Sequence, residues 1–169
     1  MANAIQVAQR FDHHVRPLQP DAVIVQVGIN DLKAIGLFPG RREAIIAACK
    51  AHIQQIVEDS TAIGATVILT TIFPTGAVPL ERQPFWSDAI AEAVVEVNNY
   101  LFTLANEQVI VLDTFTVLAN SQGQVLPKYS RDELHLNAQG YAVLNDELVR
   151  LLNAHLPSPV VDSPATTTP

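Results

Sequence analysis

A chain of 169 residues suits one domain, and its 49 % hydrophobic content is ample for a core. Only 16 % of the residues are charged, which favours elements buried on two faces, as in a parallel sheet between helices. The net charge of −7 gives the chain no electrostatic attraction to nucleic acid or to an anionic membrane surface, so we expect binding to neither.

The single cysteine and the lengths of the apolar runs further limit the classes of protein to which the chain can belong. Cys49 excludes an internal disulfide, and its place on the apolar side of a helical pattern predicts a core residue. No basic region followed by an apolar run marks a signal peptide, and no apolar run reaches the ~20 residues of a membrane span. We therefore expect neither a signal peptide nor a membrane span in this sequence. The cellular compartment stays undetermined, because the natural N-terminus need not be Met1.

The N-terminal part predicts a helix, a buried strand and a turn. Apolar residues recur every four positions from Val7 to Val15, which is typical of a helix over residues 5–15. The β-branched run at 22–27 is too short for a helix and apolar on both faces, as in a buried parallel strand. The Gly-Ile-Asn-Asp sequence at 28–31 then closes the strand.

The middle of the chain repeats this alternation. An apolar face predicts a helix over residues 41–59, and a second buried strand follows at 66–72. After a loop to about Pro84, Ser87 is the predicted N-cap of another helix, which leads to a strand at 109–112.

The C-terminal part predicts one more helix and a tail. Residues 114–133 form a loop with room for one helical turn, and Asn137 caps a helix with Tyr141 on its core side. Residues 156–169 contain four prolines and no periodicity, so we expect a domain over 1–155 followed by a disordered tail or linker.

The alternation of helices and strands predicts an α/β fold, a three-layer α/β/α sandwich whose parallel strands are adjacent and in sequence order. Sites in such folds form beyond the carboxyl ends of the strands, where Asn30, Asp31 and Asp113 lie. Asn30 is either part of an ordinary turn or an amide donor aimed into a cleft, as in an oxyanion hole. Asp113 is more typical of a helix cap.

The sequence Asp132-Glu133-Leu134-His135 offers a second candidate. An Asp three residues before a His can hold one ring nitrogen and leave the other free as a general base, although a solvated His near a helix cap has the same pattern. The spacing supplies too few ligands for a metal, and no Gly-rich loop for a nucleotide follows a strand, so we expect no cofactor. The remaining histidines are predicted to be surface residues: His13, His14, His52 and His155.

Five segments, in order, together resemble the SGNH (GDSL-like) hydrolase superfamily: the Pro-Asp that leads into VIVQVGIND, VILTTIFPTG, VNNYL, VIVLDTF and DELHLNAQGY. The resemblance implies a flavodoxin-like SGNH fold and a carboxylic ester hydrolase (esterase, lipase or acylhydrolase). It implies that Asn30 is an oxyanion-hole donor, His135 the general base and acid, and Asp132 its orienting carboxylate. It also implies a serine on a Gly-Asp-Ser turn and a glycine donor, and neither is present in this sequence.

The missing serine shapes the functional expectation. The first serine is Ser60, and the family's first two strands would precede the helix at 5–15, so the chain begins about one supersecondary unit late. It is then a fragment of an active enzyme, or a natural non-catalytic binding module, or it uses another serine. Ser130 would approach the His from the wrong element. We expect the chain to be inactive and, with an edge strand at 22–27, prone to self-association.

The expected ligand is a small-molecule ester, and the sequence leaves open whether it is a short acyl ester, an acetylated sugar or a lysophospholipid. The pocket is predicted to draw on the loops at 33–39 and 75–85, whose apolar side chains favour an apolar acyl group. The side chains in question are Leu37, Phe38, Phe85 and Trp86.

Overall fold

Strands alternate with helices in a computed structural model that describes residues 2–81 and 88–155. The predicted N-cap at Ser87, the side chains of Phe85 and Trp86, and the predicted tail at 156–169 lie outside these residues. The strands are β1 (Ala22–Val25), β2 (Thr66–Thr70) and β3 (Val109–Leu112). The helices are α1 (Ala4–His14), α2 (Ile29–Leu32), α3 (Ala34–Leu37), α4 (Arg42–Ala62), α5 (Asp88–Thr103), α6 (Thr114–Leu118) and α7 (Ala138–His155).

The three strands form one parallel sheet in the order β1-β2-β3, which confirms the predicted pairing and sequence order. The register aligns Ile24 with Ile68 and Ile68 with Ile110. Because successive residues of a strand point to opposite faces, these three isoleucines share one face of the sheet. The valines beside them, with Leu69, share the other face, so the sheet is apolar on both sides.

The main core lies between the valine face of the sheet and the helices α1, α4 and α5. Its helical members follow the predicted periodicity, with Cys49 and Ile53 fully buried on α4 and Val97 fully buried on α5. A smaller cluster near the carboxyl end of the sheet joins Leu118 of α6 to Leu144 of α7. The α/β class with helices flanking a parallel sheet is therefore the observed one.

The strand at 22–27 is not buried on both faces as its apolar composition predicted, but lies at the edge of the described sheet, as the missing family strands implied. β1 ends at Val25, and Ile24 is 50 % exposed although its neighbour Val25 is buried. Within the described residues β1 pairs with β2 along one edge and has no strand along the other. The side chains on one face of β1 are consequently more exposed to solvent than those of a strand with a neighbour on each side.

Two side chains on helices also differ from their predicted places. Tyr141 was expected on the core side of α7 but is 48 % exposed, because Gly140 and Leu144 occupy the buried face of that helix. His52 was expected on the surface but is half-buried, and its Nδ1 is shielded from solvent without a hydrogen-bond partner. Its position on α4 places it near the carboxylate of Asp31. His13, His14 and His155 are exposed as predicted.

Candidate active site

Gly28 creates the turn that places Asn30 after β1. Its φ is +119°, a backbone conformation that L side chains rarely adopt, and a Cβ there would lie 2.5 Å from Cδ1 of Ile72. Its carbonyl accepts hydrogen bonds from the N–H groups of Asp31 (3.0 Å) and Leu32 (3.1 Å). These bonds start the short helix α2, so Asn30 lies in its first turn rather than in an open loop.

Asn30 and Asp31 each contact the N-terminal segment. The Asn30 amide nitrogen donates to the carbonyl of Ala2 at 3.0 Å, and the Asp31 carboxylate accepts from the N–H of Ala4 at 2.9 Å. Burial raises the pKa of Asp31, and the bond from Ala4 opposes that shift. The Gly-Ile-Asn-Asp sequence therefore does more than end a strand, because it ties the strand end to the start of α1.

Asp132 holds the His135 ring as the spacing predicted. Its carboxylate oxygens lie 2.8 and 2.9 Å from Nδ1 of His135, and Oδ1 also accepts from the N–H groups of Leu134 (2.9 Å) and His135 (2.8 Å). Burial disfavours the ionised carboxyl, but the bonds from Leu134 and His135 outweigh it and lower the pKa of Asp132 to about 2. A carboxylate on Nδ1 fixes the tautomer that leaves Nε2 as an acceptor.

The turn that carries this pair is braced from both sides. The His135 carbonyl accepts from the N–H of Arg131 at 2.8 Å, and Ser130 pairs with Leu136 as an isolated antiparallel bridge. Asn137, the predicted cap of α7, accepts from the N–H groups of Gln139 and Gly140 at 3.0 Å and donates to the Lys128 carbonyl at 2.8 Å. The histidine therefore lies on a rigid approach to a helix.

The loop after β2 supports the same turn and was not singled out by the sequence. The N–H of Gly76 donates to the Glu133 carbonyl at 2.8 Å, and a Cβ on Gly76 would lie 3.1 Å from the Glu133 Cα. Asn98, which is buried on α5, accepts from the N–H of Ile72 at 2.7 Å and donates to its carbonyl at 2.9 Å. An asparagine within the apolar face of a helix is the sequence signal that could have indicated such a role.

A cleft of about 360 Å³ at the carboxyl end of the sheet brings Asn30 and His135 together, although they lie far apart in sequence. Tyr141 lines it too, which accounts for the exposure of that ring. The predicted lining by Leu37 and Phe38 is wrong: they are 61 % and 54 % exposed because α3 turns Ile35 into the core instead. The side chains of the cleft are mainly apolar and include Val7, Val27, Ile29, Ile72, Phe73 and Leu134.

The other candidate residues have structural surroundings. Asp113 caps α6, where its Oδ1 accepts from the N–H of Thr116 at 3.1 Å. Ser60 donates to the Ile56 carbonyl within α4, and Ser130 donates to the Asp132 carbonyl at 2.7 Å. Residues 2–81 and 88–155 contain no cluster of three or more His, Cys, Asp or Glu side chains that could hold a metal. No helix among them is both long and apolar enough to cross a membrane.

Comparisons with known proteins agree with the observed fold. No curated protein is significantly similar to the chain in sequence. A GDSL-like lipase from Bacteroides thetaiotaomicron superposes with a TM-score of 0.71 at 19 % identity, over 92 % of this chain and 73 % of that one. An acetylxylan esterase from Geobacillus stearothermophilus superposes with a TM-score of 0.69 at 19 % identity, over 88 % of this chain and 67 % of that one.

At these identities the superpositions establish the fold alone. The sequence profile of one protein family supports a conclusion beyond the fold. It matches residues 2–143, a range that includes both Asn30 and the Asp132–His135 turn. That family is described as GDSL-like lipases and acylhydrolases, whose common chemistry is the hydrolysis of esters. The chain belongs to the GDSL-like lipase/acylhydrolase family.

Proposed function

We propose that this chain carries the base and one oxyanion donor of a serine ester hydrolase. His135 acts as general base and acid, Asp132 orients its ring, and Asn30 donates an N–H to the oxyanion. The observation that carries the proposal is the bond between Asp132 and Nδ1 of His135, beside a cleft that is lined by both His135 and Asn30. The acetylxylan esterase adds support, since a variant of it described as a catalytic mutant has a histidine replaced by alanine.

In the proposed reaction, a serine hydroxyl attacks the ester carbonyl while Nε2 of His135 takes its proton. Asn30 stabilises the tetrahedral oxyanion, the C–O bond to the alcohol breaks, and His135 returns the proton to the departing alkoxide. Water then attacks the acyl-enzyme by the same route, releasing the acid and restoring the serine. The apolar side chains of Val27, Ile72 and Phe73 in the cleft favour an uncharged, apolar acyl group.

The serine in this scheme comes from a Gly-Asp-Ser segment that is not part of this sequence. Among the described residues, neither Ser60 nor Ser130 hydrogen-bonds to the His135 ring, and each donates its hydroxyl to a backbone carbonyl. Removing the nucleophile of a triad costs about 10⁶ in rate. We therefore propose that the chain by itself is not a hydrolase and that an upstream strand with its serine completes it.

The test compares the chain as given with a version extended by the segment encoded immediately upstream of Met1. The chain should neither release p-nitrophenol from p-nitrophenyl butyrate above background nor react with a fluorophosphonate serine probe. The extended protein should do both, and His135→Ala should abolish both. The matched control is His155→Ala in the extended protein, because His155 is exposed at the end of α7.

The other outcomes are decisive as well. Stoichiometric labelling of the chain as given would show that it carries its own nucleophile, and Ser130 would be the first residue to replace. An upstream segment without a serine, together with binding of the ester and no turnover, would instead establish a non-catalytic binding module.

We also propose that the chain self-associates along β1. Among residues 2–81 and 88–155, no strand pairs with the outer edge of β1, which offers backbone groups and the half-exposed side chain of Ile24, and two such edges can pair about a twofold axis. Light scattering at increasing concentration should reveal a dimer or larger species. Ile24→Lys should lower this association, whereas Phe102→Lys, at a 45 % exposed position on α5, should not. A monodisperse monomer throughout would contradict the proposal.

A further inference from the structure

Two neighbouring residues of α2 bond to two nearby peptides at the start of α1. The Asn30 amide donates to the Ala2 carbonyl at 3.0 Å, and the Asp31 carboxylate accepts from the Ala4 N–H at 2.9 Å through one oxygen and at 3.3 Å through the other. The two contacts lie side by side and join residues that are 27 and 28 positions apart. Together they form a clamp between the end of β1 and the beginning of α1.

The first contact determines how Asn30 is oriented. A carboxamide nitrogen carries two N–H groups, and donating one to a backbone carbonyl fixes the rotation of the whole amide. Asn30 is among the residues that line the cleft, and one N–H of its amide is committed to the Ala2 carbonyl, which leaves the second N–H for an oxyanion. The direction of that N–H therefore depends on where the Ala2 carbonyl lies.

The second contact determines where the Ala2 carbonyl lies. Helix α1 already has a capping box, in which the Asn3 side chain accepts from the Gln6 N–H and the Gln6 side chain accepts from the Asn3 N–H. That box leaves the first helical N–H, on Ala4, for another partner, and Asp31 supplies it. Burial raises the pKa of Asp31, as expected of a half-buried carboxyl rather than a surface one.

We infer that Asp31 is a positioning residue for Asn30: by holding the Ala4 N–H, it fixes the Ala2 carbonyl that orients the Asn30 amide in the cleft. The catalytic meaning of this arrangement rests on the proposed function. The orientation itself does not, because it can be measured without turnover.

The experiment uses the ¹⁵N-labelled full chain and follows the side-chain NH₂ signals of Asn30 by NMR. Asp31→Ala should shift these signals and speed their exchange with water by about tenfold, the effect of losing one hydrogen bond. Asp31→Asn, which keeps an acceptor oxygen, should restore most of the protection. The side-chain amide of the buried Asn98, bonded to the Ile72 carbonyl at 2.9 Å, is the internal reference and should not change.

A matched control removes a comparable helix cap elsewhere. Asp113→Ala deletes the carboxylate that accepts from the Thr116 N–H of α6, and it should leave the Asn30 signals unchanged. If Asp31→Ala keeps the fold and leaves the Asn30 signals unaltered, the inference is overturned. It is overturned as well if Asp113→Ala shifts them equally, since Asn30 would then be responding to a general loosening of the chain.

A measurement on the unmodified chain covers the case in which Asp31→Ala does not fold. The Asn30 side-chain signals should follow the titration of Asp31, with a midpoint above the ordinary range for aspartate because its pKa is raised. The titratable groups near Asp31 are His52 and Cys49 of α4, and the thiol stays neutral because burial raises its pKa to about 12. Signals that follow a histidine instead, or that do not titrate, would overturn the inference.

Discussion

Ile24 and Ile68 are the same residue type, lie side by side in the sheet and point to the same face, yet their surroundings differ. Ile68 is fully buried, whereas Ile24 is 50 % exposed. β2 has a strand on each side, and β1 has one on a single side within the described residues. Burial of a strand residue thus depends on the number of neighbouring strands, a property that the residue's own sequence does not contain.

The two halves of the candidate site differ in a similar way. The Asp132–His135 pair is held by bonds within its own turn, from residues three positions apart or closer. Asn30 follows the half-covered strand β1 and is held by Ala2, which lies 28 positions away. The histidine half should therefore tolerate changes elsewhere in the chain better than the asparagine half does.

The largest effect is expected at the fully covered strand. Ile68→Ala should lower the free energy of unfolding by about 2–5 kcal/mol, because it leaves a cavity in a closely packed interior. Denaturation by urea, followed by circular dichroism, measures this change. A loss below about 1 kcal/mol would mean that β2 is not the packed centre of the sheet.

Next is the turn after β1. Gly28→Ala and Gly64→Ala both place a side chain at a positive φ, of +119° and +86°, but a Cβ meets Ile72 at 2.5 Å in the first and open space in the second. Gly28→Ala should therefore be less stable than Gly64→Ala by about 1–3 kcal/mol, the usual cost of an overpacked contact. Equal stabilities of the two variants by urea denaturation would show that the Ile72 side chain moves aside without loss of stability.

A smaller effect is expected in the dependence of the free energy of unfolding on acidic pH. The pKa of Asp132 is lowered to about 2 in the folded chain, below the value of about 3.9 in an unfolded one. The stabilisation by its carboxylate is thus complete above about pH 4 and is lost as the pH falls towards about 2. Because the side chain is 37 % exposed, solvent screening keeps this contribution below about 1 kcal/mol.

The measurement is the difference in urea midpoint between the wild-type chain and Asp132→Asn from pH 6 to pH 2. The difference should shrink as the pH falls through that window, because the variant has no carboxyl at this position to titrate. Curves that stay parallel would mean that the carboxylate of Asp132 is no better stabilised in the folded chain than in the unfolded one.

The smallest effect is expected at the partner of Ile68 on the edge. Ile24→Thr keeps a β-branched side chain and removes mainly exposed apolar surface, so it should change the free energy of unfolding by no more than about 0.5 kcal/mol. Thermal and urea denaturation of a dilute sample measure it. A loss close to that of Ile68→Ala would show that something covers Ile24 in solution, and light scattering would identify a second copy as that cover.

By itself, the sequence determined what depends on near neighbours. The periodicity of α4 and α5 and the short apolar runs of β2 and β3 predicted those elements and their parallel order, and the Asp132–His135 contact followed from its three-residue spacing. Hydrophobic period and local hydrogen bonds act over a few residues, which is why a linear pattern contains them.

Only the tertiary structure decided the rest. It exposes Ile24 and Tyr141, buries the Nδ1 of His52, and turns Leu37 and Phe38 away from a cleft to which the sequence had assigned them. It also bonds Asn30 to Ala2 and closes Gly76 against Glu133. The two bonds join parts of the chain far apart in sequence, and the exposed or buried state of the other side chains is set only once the strands and helices have packed around one another.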